Sequence, residues 1–374
     1  MIKQRIKKFW QEIEKSEKKP TAFLVTNPKN IFYLTQFKGE GILLCSTEEN
    51  YLITDSRYTE QAHLEARDCQ IIVQEMKQSD AQTESFRKLI AELKIKEIGF
   101  ESDSLQVSTY LKYQTCMPRL KLIPFQNIIE TIRMIKDSHE IELMKKSAQI
   151  AANSFIKTLY SLKTGVSELT VSARLNYDMR KNGAQKEAFD LIVTSGKRGT
   201  LIHGSPSNKK IREGEFIIID FGCIFEMYHS DCTRSFILGD SNKEQKKIFD
   251  IVKKTQIETL QQVKAGKRCG ELDDFARNMI EKSGYGNYFN HSLGHGVGLD
   301  IHELPRLGPN VQTVLQPGMV VTVEPGIYIS NIGGVRIEDT VVVTEKGCQI
   351  LTPLPKVLSG FTYRKQDFND IIIA

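Results

Sequence analysis

Apolar residues in the first third of the chain fall in short β-rich runs separated by stretches with helical spacing. The runs at Ala22–Thr26, Gly41–Ser46, Asn50–Thr54, Gln70–Gln74, Glu97–Phe100 and Leu120–Pro124 predict strands. The stretches Tyr58–Ala66, Asp80–Leu93 and Ser104–Cys116 predict helices between them, which gives an α/β layout with a mixed sheet. An amphipathic first helix precedes it, with Ile6, Phe9, Trp10 and Ile13 on its buried side. Residues 128–136 read as a link to a second region.

That region opens on a helix start, because Asp137 is followed three places later by Glu140, a capping-box spacing. Met144, Ala148, Ala151, Phe155, Leu159 and Leu162 then keep a helical stripe up to Gly165. A second helix is expected at about Ser167–Asn182, stopped by Gly183, and a third after Ser241 and Glu244 to about Ala265. A fourth spans Glu271–Ser283 and a last β region Met319–Val343.

The segment Gly214–Leu238, GEFIIIDFGCIFEMYHSDCTRSFIL, reads as a β-hairpin. Folded between Phe225 and Glu226, it sets Asp220 across from Asp231, where like charges on paired strands repel. The segments Ile211–Gly222 and Leu315–Gly326 align without gaps at an offset of 104 residues, matching Asp220 with Glu324. Pivoting the second hairpin about Asn331 sets Glu324 across from Glu338. Each half is therefore two helices followed by a hairpin carrying two facing acids.

Composition narrows the class. The chain has 374 residues, 40% hydrophobic and 26% charged, a size that implies two domains or three. No run approaches the roughly 18–20 apolar residues of a membrane span. The N-terminus lacks the apolar core of a signal peptide, and a cytoplasmic location is expected. The net charge of +5 is spread along the chain, which argues against nucleic acid as a partner. The seven cysteines show no CxxC spacing and read as reduced, buried thiols. Five of the seven histidines, His203, His229, His291, His295 and His302, fall within one hundred residues.

Asp220, Asp231, Glu324 and Glu338 would bring a charge of about −4 into one pocket, more than a folded domain tolerates without counter-ions. Two divalent cations would neutralise it, and oxygen-rich ligation favours Mn²⁺ or a similar first-row ion over thiolate-bound zinc. His295, in HSLGHGVGLDIHE, is the best imidazole to complete the set, because Gly294, Gly296 and Gly298 allow close backbone approach. Two such ions sharing a water make hydrolysis the first expectation. Rival readings are weaker. GHGVG lacks the spacing of a phosphate loop, and Arg306 breaks an HExxH zinc helix begun by His302-Glu303. His229 is expected on the opposite face from Asp231.

The motifs IIIDFG, SDCTR, GHGVGLDIHE, VEPGIYI and GGVRIEDT, in order over about Thr131–Pro355, resemble the pita-bread metallopeptidases, the group of methionine aminopeptidase, aminopeptidase P and prolidase. NPKNIFYLTQF and LITDSRYTEQA resemble the N-terminal domain shared by creatinase, prolidase and aminopeptidase P. The resemblance implies an α/β (α+β) protein: a creatinase/prolidase-like domain over residues 1–130 and a pita-bread catalytic domain over 131–374, built from two pseudo-symmetric helix–hairpin halves. It implies metal ligands at Asp220, Asp231, His295, Glu324 and Glu338, with Asp231 and Glu338 reaching both ions. It also implies two divalent ions, Mn²⁺ first, with Co²⁺ or Zn²⁺ as alternatives.

The same resemblance implies that Glu324 orients a bridging hydroxide and accepts its proton. His203 would stabilise the developing oxygen or pass a proton, and His302 would bind the scissile carbonyl or assist the leaving nitrogen. His291 and Tyr328 would line a proline pocket, and Arg336 would sit by the substrate or hold the acids. LIHGSPSN is an HG-type variant of the His203 loop, and Glu226-Met227 stands where a glycine is common in the hairpin turn. The expected activity is hydrolysis of the N-terminal Xaa-Pro bond of peptides, as an Xaa-Pro aminopeptidase, with Xaa-Pro dipeptidase (prolidase) as the alternative. Peptides with proline second are the expected substrates, and a homodimer the expected assembly. Two other classes compete: a pita-bread binding module without activity, and a creatinase-like hydrolase without metal.

Overall fold

The computed structural model describes residues 1–74 and 80–359 and separates into two compact units, Met1–Arg133 and Met134–Ala374. The first unit runs α1 (Ile2–Glu14), β1 (Ala22–Val25), α2 (Pro28–Thr35), β2 (Ile42–Ser46), β3 (Asn50–Asp55) and α3 (Thr59–Glu65). It continues with β4 (Gln70–Gln74), α4 (Ala81–Glu92), β5 (Glu97–Glu101), α5 (Val107–Cys116), β6 (Lys121–Phe125) and α6 (Ile128–Arg133). Its six strands make one mixed sheet in the order β4-β3-β2-β1-β5-β6, antiparallel across β1–β2–β3 and parallel elsewhere. The expected strands are all present.

Two helices here escaped the sequence reading. Asn27 caps α2 by accepting from the Lys29 N–H, and Pro28 fills the first helical position, where its missing N–H costs nothing. The stretch expected as a link, residues 128–136, holds α6, which buries Ile129, Ile132 and Arg133. Arg133 donates to Asn30 at 2.8 Å, so a polar pairing the apolar pattern does not reveal fixes this helix.

In the second unit α7 (Ser138–Leu159) starts at the expected capping box of Asp137 and Glu140, and α8 (Glu168–Lys181) follows, capped by Ser167. Then come β7 (Lys186–Glu187), β8 (Ile192–Ser195), a 3-10 turn at Gly196–Thr200, β9 (Phe216–Phe221), β10 (Cys223–Phe225), β11 (Tyr228–His229) and β12 (Cys232–Ile237). The second half repeats the plan with α9 (Lys243–Gln262) and α10 (Cys269–Lys282). The cap of α9 is a box of Asn242 with Gln245, one residue beyond the expected Ser241 and Glu244. The remaining strands are β13 (Gly294–Gly296), β14 (Glu303–Leu307), β15 (Val320–Val323), β16 (Gly326–Ile329), β17 (Gly333–Arg336), β18 (Asp339–Val343) and β19 (Cys348–Ile350).

Each half has its own core. Phe155 of α7 stacks on Phe221 of β9 at 4.7 Å in a cluster with Leu175 and Met179 of α8. Leu272 and Ala276 of α10 pack with Val321, Val323 and Val341 in the other. A third cluster, with Phe216, Phe249, Ile327 and Val335, joins the two hairpins. The protein is thus a mixed α/β chain whose second unit is a pseudo-symmetric pair of helix–hairpin halves.

The register of the first hairpin differs from the expected one. Phe225 pairs with Tyr228 and Asp220 with Thr233, so the chain turns about Glu226-Met227 and not about Phe225-Glu226. Both turn residues have positive φ, 45° and 74°, the backbone of a two-residue type I′ turn. Asn-Gly ordinarily marks such a turn, and its absence hid the true pivot. The shift is two residues, an even number, so Asp220 and Asp231 keep one face and become diagonal neighbours. The second hairpin has the expected register: Gly326 pairs with Arg336 and Val323 with Asp339, which sets Glu324 opposite Glu338.

Among the cysteines, Cys45, Cys223, Cys232 and Cys269 are buried and all seven are free. Cys69 and Cys348 are half-buried and Cys116 is exposed, against the expectation that all would be buried.

Candidate active site

The hairpins lose their ladder hydrogen bonds where three of the four acids sit, Asp220 staying paired within β9. Asp231 lies between β11 and β12, and Glu324 and Glu338 lie in the gaps of the second hairpin. The Glu338 N–H donates instead to the Thr233 carbonyl at 3.1 Å, which ties the second hairpin to the first. Backbone freed from pairing in this way can aim its side chain off the sheet plane.

His295 comes from β13, where glycines on either side permit close packing. A Cβ on Gly294 would collide with the Thr322 carbonyl, and one on Gly296 with the Leu304 carbonyl. The His295 Nδ1–H donates to the Gly296 carbonyl at 3.1 Å, which turns Nε2 toward the acids. Nε2 lies 3.5 Å from Asp231 Oδ2 and 3.3 Å from Glu324 Oε1. Ligand atoms of Asp231, His295 and Glu338 all fall within 4.8 Å of one another.

Asp220 gives Oδ2 to the Arg336 guanidinium at 2.7 Å, while its Oδ1 is buried with no hydrogen-bond partner among the described residues. Glu338 gives Oε2 to the Thr233 hydroxyl at 2.7 Å, and its Oε1 is likewise buried and unpartnered. Buried carboxylate oxygens are almost always hydrogen-bonded or bound to a cation. Two orphaned oxygens beside the His295 imidazole fit the divalent ions expected from the sequence. The donors are hard oxygens with one nitrogen, which suits Mn²⁺ or a similar first-row ion. The neighbouring thiols face elsewhere: Cys223 Sγ bonds the Ser147 carbonyl and Cys232 Sγ the Glu338 main-chain oxygen.

The acids titrate as a crowd. Burial first, then Glu338, Asp220 and Glu324, hold Asp231 well above the usual carboxylate range, and burial with Glu324 and Asp220 does the same to Glu338. Burial also raises Asp220, with Arg336 pulling the other way. Burial would raise Glu324 too, but its hydrogen bond to His295 and that ring's charge outweigh it and push the carboxyl down to about 2. For His295 burial acts downward, and the Glu324 hydrogen bond and charge turn the net shift upward.

Arg336 is buried at the end of β17. It donates to Asp220, to Tyr328 Oη at 2.9 Å and to Thr233 Oγ1 at 3.1 Å. His291 donates from Nδ1 to the Ser292 carbonyl at 2.8 Å, so its Nε2 accepts the Tyr328 hydroxyl at 2.9 Å. Burial holds His291 below its ordinary range, and it pushes Tyr328 up to about 12. The His302 ring meets that of His295 at 4.2 Å, edge to face, and burial and the His295 charge keep it below the ordinary imidazole range. His203 is exposed on the loop after the 3-10 turn.

The structure thus gathers nine of the ten expected residues through contacts or short ligand-atom distances, and His203, on its exposed loop, stands outside that set. His229 is buried and takes a structural position, with its N–H and Nδ1 both on the Gly298 carbonyl at 2.9 and 3.1 Å. Thr233 was missed by the sequence reading. Its hydroxyl joins Glu338 to Arg336, and the signal for it was the register itself, which places it opposite Asp220.

Both units of the chain have counterparts among known proteins. The Creatinase/Prolidase N-terminal domain matches residues 5–135 and metallopeptidase family M24 matches residues 142–345. The chain is 37% identical over 363 residues to the Xaa-Pro dipeptidase of Pyrococcus horikoshii, covering 96% of this chain and 99% of that one. Among solved structures, an Xaa-Pro dipeptidase from Bacillus anthracis superposes with a TM-score of 0.90 at 39% identity, covering 96% of this chain and 99% of the other. An X-Pro aminopeptidase from Thermotoga maritima MSB8 superposes with a TM-score of 0.85 at 38% identity, covering 91% and 98%. No helix among the described residues is long and apolar enough to cross a membrane. The protein is a peptidase of metallopeptidase family M24, with the pita-bread fold preceded by a creatinase/prolidase N-terminal domain.

Proposed function

We propose that this protein is a dinuclear-metal Xaa-Pro dipeptidase. The observation that carries the reading is the donor set: two orphaned, buried carboxylate oxygens beside the Nε2 of His295. The names of its relatives favour a dipeptidase over the aminopeptidase expected from the sequence, since full-length relatives at 37–39% identity are Xaa-Pro dipeptidases. The X-Pro aminopeptidase at 38% identity keeps trimming of longer peptides as the second reading.

Asp220, Asp231, His295, Glu324 and Glu338 would hold two divalent ions, Mn²⁺ first. Such a pair supplies Lewis acidity and a water of lowered pKa. Glu324 would accept the proton that the attacking water gives up. Proline makes a tertiary amide, so the departing nitrogen must gain a proton as the bond breaks. His302, whose ring packs on His295, and His203, on the exposed loop after the 3-10 turn, are the groups for that transfer and for holding the carbonyl oxygen. His291 and Tyr328 form a wall whose hydrogen bonds run from Arg336 to Tyr328 to His291, and this chain orients the proline side of the site.

The test is a panel of Xaa-Pro dipeptides, Xaa-Pro-Yaa tripeptides and Xaa-Ala controls, assayed with Mn²⁺. Turnover of Xaa-Pro alone supports the dipeptidase, and turnover of both proline series supports the aminopeptidase. Equal rates on Xaa-Ala would sink the proline specificity. Fewer than one bound ion per chain under saturating Mn²⁺ would sink the metal reading.

A further inference from the structure

Two buried carboxylates outside the metal cluster lie on the second helix of each half, one near the start of α8 and one a turn further along α10. Glu168 lies in the first turn of α8 with its side chain wholly buried, and Asp273 lies in α10 with its side chain wholly buried. Each is paired with one partly exposed arginine, Glu168 with Arg198 at 3.0 Å and Asp273 with Arg277 at 2.9 Å. Burying a carboxylate is costly even when paired, and an apolar residue would fill such a place more cheaply.

What each acid grips is a loop carrying a histidine of the site. Glu168 Oε1 accepts from the Ser195 N–H at 2.8 Å and the Ser195 hydroxyl at 2.9 Å. Its Oε2 accepts from the Ser207 N–H at 3.2 Å and the Ser207 hydroxyl at 2.7 Å. One carboxylate therefore closes both ends of the loop 195–207, which bears His203. The near end of that loop is also wedged against β17: a Cβ on Gly199 would stand 2.8 Å from the Gly334 nitrogen, and one on Gly333 2.7 Å from the Gly196 carbonyl oxygen. In the second half Asp273 Oδ1 accepts from the Leu293 N–H at 2.9 Å. Arg277, held by Asp273, donates to the Phe289 and His291 carbonyls, both at 3.0 Å. Both sides of His291 are fixed through one buried acid.

We propose that Glu168 and Asp273 are a matched pair of positioning residues, Glu168 setting His203 and Asp273 setting His291 against the substrate. The inference rests on the reading above that these histidines face the peptide. Neither acid touches the metal cluster in any contact described, so each acts through its loop. Misplacing a reacting group by about 1 Å can cost on the order of 10²-fold in rate, which sets the size of the effect.

The test uses the full chain loaded with Mn²⁺ and an Xaa-Pro dipeptide. Glu168→Gln is expected to lower kcat/KM by about 10- to 100-fold with metal content unchanged. In a His203→Ala background the same change should cost less than about twofold, because the group it positions is gone. Asp273→Asn should behave likewise against His291→Ala. Equal costs in both backgrounds would overturn the proposal. Amide hydrogen exchange, read without substrate, should quicken at residues 196–207 in Glu168→Gln and at 289–293 in Asp273→Asn. Unchanged exchange there would overturn the clamp, whereas a wild-type chain with no Xaa-Pro turnover would overturn only the functional reading. Should either variant fail to fold, Ser207→Ala and Arg277→Lys loosen the same loops from outside the buried acid, and the same two outcomes decide.

Discussion

The first hairpin runs from Phe216 paired with Ile237 to Phe225 paired with Tyr228, around a two-residue turn. The second runs from Val320 paired with Val342 to Ile329 paired with Gly333, around three residues. In the first, Asp220 sits within the ladder across from Thr233, and its diagonal neighbour Asp231 sits in a break. In the second, both acids sit in the break and face each other. The acids differ to match, aspartates in one and glutamates in the other. Their outside partners differ as well: Asp220 leans on Arg336, and Glu324 on His295. The lesson is that a repeat conserves the face on which charge is presented and not the pairing that presents it. A two-residue change of register leaves the face intact, and a one-residue change would have destroyed the site.

The most severe way to break the comparison removes one acid from each hairpin. Asp231→Ala and Glu324→Ala should each lower kcat/KM on Xaa-Pro substrate by at least about 10³-fold, with bound Mn²⁺ measured alongside. Near-native activity in either would show that the hairpins do not form one site.

Arg336 is where the hairpins differ most, since it belongs to the second and neutralises an acid of the first. Arg336→Lys keeps the charge but loses the fork that reaches Asp220, Tyr328 and Thr233 together. Its expected cost is about 10- to 100-fold in activity or Mn²⁺ affinity, and a smaller loss would make Arg336 a bystander to the acids.

The metal-free protein should reveal the crowding through pH. Asp220, Asp231 and Glu338 have folded pKa values above their unfolded ones, so they favour the folded state least when ionised. Stability is therefore lost as pH rises from the ordinary carboxylate range through the raised values. The raised His295 adds stability that is full below its unfolded value and lost as pH climbs through the folded one. Glu324 has the opposite sign, and its contribution disappears only as pH falls toward about 2. With chelator present, Tm should fall as pH rises above the ordinary carboxylate range. Saturating Mn²⁺ should restore about 2.7 kcal/mol when present at a hundredfold its Kd. A Tm that rises with pH under chelation would contradict the arrangement.

The smallest effect concerns the turns. Glu226 and Met227 occupy left-handed backbone without the residues that favour it. Changing the pair to Asn-Gly should stabilise the fold by about 1 kcal/mol in urea titration with activity unaltered. No gain would mean that the Met227 N–H bond to the Gln185 side chain at 2.8 Å already offsets the strain.

Much of this was legible because it is local. Strands of the first unit, the capping box at Asp137 and the duplicated acids lie in short windows of sequence, and helix or strand period follows from neighbours a few residues apart. The helix α6 was missed because its anchor, Arg133 on Asn30, spans 103 residues. The first register was missed because Glu-Met carries no turn signal. The sequence by itself determined which acids exist, that they come in two matched pairs, and that a glycine-flanked histidine stands ready to join them. Only the tertiary structure decided that Thr233 and Arg336 tie the hairpins together, that two carboxylate oxygens are left orphaned, and that Glu168 and Asp273 grip the histidine loops. Those contacts join residues 20 to more than 100 positions apart, and their directionality comes from hydrogen-bond geometry, which no hydrophobic period encodes.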